Sequence, residues 1–142
     1  MMIVAQLLTS FIAAAGFGIL FNAPRKSLIQ CGLVGMLGWI LYYLLAAKGM
    51  DPVPATVFAA MLVGALCQVC AKLFKTPIII FIVSGIIPLV PGGSAYDAMR
   101  HFVVNDYYAG VQLATKVMLL SGAIAIGIMF SEAITQLIIK KR

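Results

Sequence analysis

The stretch Thr76–Asn105, TPIIIFIVSGIIPLVPGGSAYDAMRHFVVN, decides how this chain is read. It opens as an uncharged apolar run and then meets Pro88 and Pro91. Each proline lacks an amide donor and clashes with the preceding turn, so a helix entering from Pro77 should break near Leu89. Pro77 to Val90 is 14 residues, about 21 Å of helix against a hydrocarbon core about 30 Å thick. Pro91-Gly92-Gly93 then supplies a side-chain-poor turn. Ser94 with Asp97 three residues on has the pattern of a capping box, which opens a new helix over 94–104. In that helix Ala95, Tyr96, Met99, Phe102 and Val103 share one face, and Asp97, Arg100 and His101 the other.

An interrupted helix at membrane depth is tolerated where it is buried in protein or lines a water-filled cavity. Half-helix N-termini present free amides and partial positive charge to anionic groups. The amides around Gly93–Tyr96 are thus placed to receive a substrate carboxylate. Gly92 and Gly93 allow close backbone approach, and Ser94 serves as cap or ligand. Pro88, Pro91, Gly92, Gly93, Ser94, Tyr96, Asp97 and Arg100 form the candidate substrate pathway. The alternative is a short span followed by an amphipathic helix on the outer surface, with a purely structural turn.

The rest of the chain sets the context. Of 142 residues, 63% are hydrophobic and 10% charged, and the mean hydropathy is +1.11. A soluble domain carries about 25% charged residues, so a soluble enzyme, a secreted disulfide scaffold and a disordered tail are all excluded. The length fits a single transmembrane domain, 1–142. Apolar stretches between charges give five spans, at approximately 2–23, 27–47, 53–71, 77–91 and 109–139. The first stretch lacks the positive leader of a signal peptide and stays apolar to Phe21, so it reads as a retained helix. The expected fold is an all-α integral membrane protein with its fourth span broken.

Five crossings put Arg25, Lys26, Lys72, Lys75, Lys140, Lys141 and Arg142 on one side, and Lys48, Arg100 and Lys116 on the other. Positive residues near span ends stay cytoplasmic, which sets the N-terminus outside and the C-terminus inside. The net charge of +6 reads as this signal and not as a nucleic-acid footprint. Small residues recur at packing spacings: Ala14 and Gly18, then Gly32, Gly35 and Gly38, then Ala60 and Gly64, then Ala123 and Gly127. A bundle this thin has little room for a solute, which calls for a partner or a homo-oligomer in the lipid bilayer.

Cys67 and Cys70 form one C-x-x-C inside a span and have no second pair or suitable histidine, so they read as packing residues and no metal is expected. No cofactor is expected either. The chain has no paired carboxylates, nucleophile–histidine pair or phosphate loop, so it reads as no enzyme. Lys116 and Glu132 flank 15 residues, about 22 Å of helix, and cannot both clear the core. Lysine snorkels more readily, which leaves Glu132 as the buried charge, among Ser131, Thr135 and Gln136. Glu132 and Asp97 are the proton-coupling candidates; the alternative for Glu132 is an interfacial pair with Lys140 or a partner helix.

FGILFNAPRKSLIQCGLVGMLGWILYYLL (17–45) and IIPLVPGGSAYDAM (86–99) resemble the threonine/serine exporter family, in its small five-span half. The resemblance rests on F-N-x-P-R, on G-x-x-G-W and on the P-x-x-P-G turn, to which Pro88, Pro91 and Gly92 belong. It covers nearly the whole chain. It implies a bacterial inner-membrane exporter of small hydroxy amino acids, driven by the proton gradient. Such a chain would be one subunit of a two-component transporter and need a larger membrane subunit carrying the other five spans. Some two-subunit members export dicarboxylates such as succinate, for which Arg25 and Arg100 would be the second anchors. A non-transporting assembly subunit is the alternative of another class.

Overall fold

A computed structural model describes residues 2–140, with side chains from 3 to 138. The described chain is helical throughout: α1 (Met2–Leu20), α2 (Leu28–Ala47), α3 (Pro52–Phe74), α4 (Ile78–Ile86), α5 (Gly92–Val103) and α6 (Tyr107–Lys140). Single 3-10 turns precede α2 (Arg25–Ser27) and follow α4 (Ile87–Leu89). Lipid offers the backbone no hydrogen bonds, so each apolar run satisfies its own amides as a helix. Four helices are long and apolar enough to cross a membrane, and a bent pair, Ile78–Leu89 with Gly92–Val103 at 57°, makes up to five.

Close approach between small residues fixes the helix pairing. Gly127 of α6 lies against Ala60 and Val57 of α3, where a Cβ would stand 2.6 Å from the Val57 carbonyl. Further along, Gly64 faces Ser131, with 2.8 Å to its side chain from the same position. Both helices therefore advance in the same direction. If α3 and α6 run parallel, the chain between them must return, and α4 with its 3-10 turn makes that return. On the other side, α1 runs antiparallel to α2: Gly18 meets Leu28 and Cys31, Phe11 covers Gly32, and Ala14 packs on Gly35. A core of Cys31, Val34, Ala59, Val63, Cys67, Phe81 and Leu89 joins α2, α3 and α4.

The ends of the bundle differ. Arg25, Lys26, Lys72 and Lys75 lie in or beside the α1–α2 and α3–α4 links at one end, where α6 also finishes. Lys48 lies in the α2–α3 link at the other. The side chains of Lys140, Lys141 and Arg142, which the orientation argument also uses, lie outside the described residues.

Three sequence expectations change. The helix after the turn opens at Gly92 instead of Ser94, with Pro91 as N-cap and no side-chain cap, so the Ser94–Asp97 capping box does not form. Pro91 fixes a helical φ and leaves its own carbonyl free to accept from Ala95 N–H, at 3.0 Å. The apolar face expected on this helix also divides. Ala98 is buried and Phe102 packs over Gly110 of α6, while Tyr96, Met99 and Val103 are exposed. Finally, α6 extends back to Tyr107, because Asp106 caps it by accepting from Ala109 N–H at 3.3 Å.

Candidate functional site

The bend after α4 forms one wall of a cleft of about 250 Å³. Pro88, Leu89, Val90 and Pro91 line it, with Gly92, Gly93 and Ser94 from the first turn of α5. Trp39 and Tyr42 of α2, Thr56 of α3, and Lys116 with Leu120 of α6 complete the wall. Leu89 is buried in the core and anchors the turn. The Gly92 amide donates to Val90 O at 2.8 Å and the Ala95 amide to Pro91 O at 3.0 Å. Those of Gly93 and Ser94 are left as the first-turn donors without a carbonyl one turn back. Neither Gly92 nor Gly93 has an atom within 4 Å of where a Cβ would stand, and neither has positive φ. The glycines thus keep open space above the turn rather than permit a strained backbone.

Two residues show why α2 and α3 present polar groups here. Thr56 is buried and its hydroxyl donates to Pro52 O at 2.7 Å, leaving its oxygen as an acceptor. The Trp39 indole N–H donates to Gln6 Oε1 of α1 at 3.4 Å, which holds the ring at the cleft wall. Lys116, itself exposed, lines the turn cleft. The arrangement offers one ammonium and two unbonded amides to an anion, beside aromatic and apolar surface.

Tyr96, Asp97 and Arg100 are exposed on α5 and do not line that cleft. Arg25 and Arg100, the candidate second anchors for a dicarboxylate, sit at opposite ends of the bundle, and neither lines the turn cleft. Beside Arg100, His101 Nδ1 lies 3.1 Å from Asp106 Oδ2 and ties the end of α5 to the start of α6.

Glu132 occupies a second cleft, of about 360 Å³, at the other end of the α3–α6 seam. Thr135 and Gln136 join it from α6, Gln68, Ala71 and Lys72 from α3, and Ile78 from α4. Its side chain is exposed within that cleft. Gln68 is 9% exposed, and its Oε1 has no hydrogen-bond partner; Ser131 Oγ is likewise buried and unpartnered. Sequence reasoning missed Trp39, Thr56, Gln68 and Lys72 as site residues. The one available signal was Gln68, an uncharged polar side chain in the middle of an apolar span.

Cys31 and Cys67 are buried free thiols and Cys70 is half-buried. No group of three metal-ligating side chains occurs among the described residues.

Several apolar helices, one broken at a polar cleft, define a multi-pass helical membrane protein. A family model described as Threonine/Serine exporter, ThrE, matches residues 6–134. The chain belongs to that family, which is one of exporters and not of enzymes. No solved structure matches it.

Proposed function

We propose that this chain is the small membrane subunit of a two-component secondary transporter that exports threonine and serine, driven by the proton gradient. The observation that supports it is the convergence of the Lys116 ammonium and the Gly93 and Ser94 amides on one cleft at a broken span. An amino-acid carboxylate matches that donor set, since charge-assisted hydrogen bonds to an ammonium and to first-turn amides are the stronger kind. The substrate's short side chain would lie against Trp39, Tyr42 and Leu120.

A larger membrane subunit would cover the remaining faces and complete the pathway, in a bacterial inner membrane. The N-terminus would lie outside, with Arg25, Lys26, Lys72 and Lys75 on the cytoplasmic side. The turn cleft then opens toward the outside and the Glu132 cleft toward the cytoplasm. Alternating access would move the bent α4–α5 unit against the partner, while Glu132 or Asp97 carries the coupled proton.

Efflux of threonine and of succinate from cells producing both subunits, compared with cells producing each alone, tests this. Threonine extrusion that needs both subunits supports the assignment. Succinate extrusion replaces the substrate, and no extrusion with a stable complex leaves an assembly role.

A further inference from the structure

Four features of the Glu132 cleft go beyond a proton-carrying carboxylate. Glu132 and Lys72 line it with opposite charges, yet neither makes an ion pair within 4.0 Å among the described residues. Gln68 is nine-tenths buried with an orphaned amide oxygen, and it lines the same cleft. Thr135 donates its hydroxyl proton to Ser131 O at 3.0 Å, so its oxygen is left as an acceptor. At about 360 Å³ the cleft lies within the range of small-molecule sites.

From these we infer that the cleft is a loading site for a free amino acid held as a zwitterion, its ammonium on Glu132 and its carboxylate on Lys72. The inference rests on the transport reading and adds to it a second station and the way both charges of the substrate are held there. Two opposite charges that share a cleft without touching leave a gap, and a molecule carrying both charges closes it. Gln68 supplies the third contact. Its unpartnered amide oxygen is an acceptor for a substrate hydroxyl or ammonium. Burial makes that oxygen expensive to leave without a donor.

The same geometry selects against a dicarboxylate. Its second carboxylate would stand beside Glu132, and among the described residues no cation other than Lys72 lines the cleft. It also suggests how export is coupled. Lys72 is the charged group that α3 presents to Glu132, and α4 presents only Ile78. The Glu132 carboxylate holds either a proton or the substrate ammonium, so arrival of one releases the other.

The test uses the two-subunit complex in lipid nanodiscs and displacement of radiolabelled L-threonine. Competitors are L-threonine, 3-hydroxybutyrate (which lacks the ammonium), threoninamide (which lacks the carboxylate) and inorganic phosphate. L-threonine should compete at least about tenfold better than the others, the ratio that about 1.4 kcal/mol produces. Glu132→Gln should weaken threonine by about tenfold and leave 3-hydroxybutyrate unchanged. Lys72→Gln should weaken threonine and leave threoninamide unchanged. Both side chains are exposed, so folding should survive; Glu132→Asp and Lys72→Arg should retain the discrimination.

Threonine binding that neither Gln variant alters overturns the loading site and leaves the transport reading standing. So does an equal loss for threonine and 3-hydroxybutyrate in Glu132→Gln. Phosphate competing as well as threonine overturns it in favour of a headgroup or free-phosphate site at Lys72. Wild-type complex that exports another solute and binds no threonine overturns both readings.

Discussion

Gly64 of α3 and Ser131 of α6 meet so closely that a Cβ on the glycine would stand 2.8 Å from the serine side chain. This contact is the last tight point on the α3–α6 seam before the cleft that holds Glu132, and Gly127 is the tight point before it. A valine at Gly127 would press on the Val57 carbonyl, 2.6 Å from the new Cβ, and backbone cannot swing aside. Gly127→Val should destabilise the bundle by about 1–3 kcal/mol, read as lost folded yield and a lower melting temperature in detergent. Gly122, with nothing within 4 Å, is the control, and Gly122→Ala should leave both unchanged.

Gly92 and Gly93 provide the opposite case. Open space surrounds both, in a helical first turn with ordinary φ. Gly92→Val and Gly93→Val should therefore fold and assemble, at a cost below about 1 kcal/mol. Efflux should nonetheless fall by about tenfold or more, since the new side chains fill the substrate's approach to the amides. Efflux that survives both changes makes the turn structural only.

Lys116 is expected to act through its charge. Lys116→Met keeps the stem and removes the ammonium, and should reduce export about tenfold or more by raising the substrate concentration for half-maximal rate. Lys116→Arg should recover part of the loss. Equal behaviour of the two variants would assign the residue to packing.

Orientation is tested by impermeant maleimide labelling of intact cells in a Cys70→Ala background, where the remaining native thiols, Cys31 and Cys67, are buried. Lys48→Cys should label from outside and Lys75→Cys only after permeabilisation. The reverse pattern would invert the proposed topology.

The helices themselves were legible in the sequence, because lipid leaves an apolar run no choice but to satisfy its own backbone. The break at Pro88 and Pro91 was legible for the same local reason. What local sequence did not reveal was which distant side chains the break would face. Lys116 turns toward the cleft because Phe102 on Gly110 folds α5 antiparallel along the start of α6, a contact set by a glycine well beyond Pro91, the nearest proline of the break. Side-chain lengths point to Glu132 as the charge at membrane depth, but that it shares a cleft with Gln68 and Lys72 depends on the parallel pairing of α3 and α6. The capping box failed because Pro91 starts the helix first. Nothing in Ser94 or Asp97 alone signals that competition.

We propose export of small hydroxy amino acids by this chain together with a larger membrane subunit. Its most direct test is extrusion of preloaded L-threonine from cells producing both subunits, with and without a protonophore. The expected result is rapid extrusion that needs both subunits and collapses when the proton gradient is dissipated. Extrusion that persists without the gradient, or a pair that moves neither threonine nor serine, would contradict it.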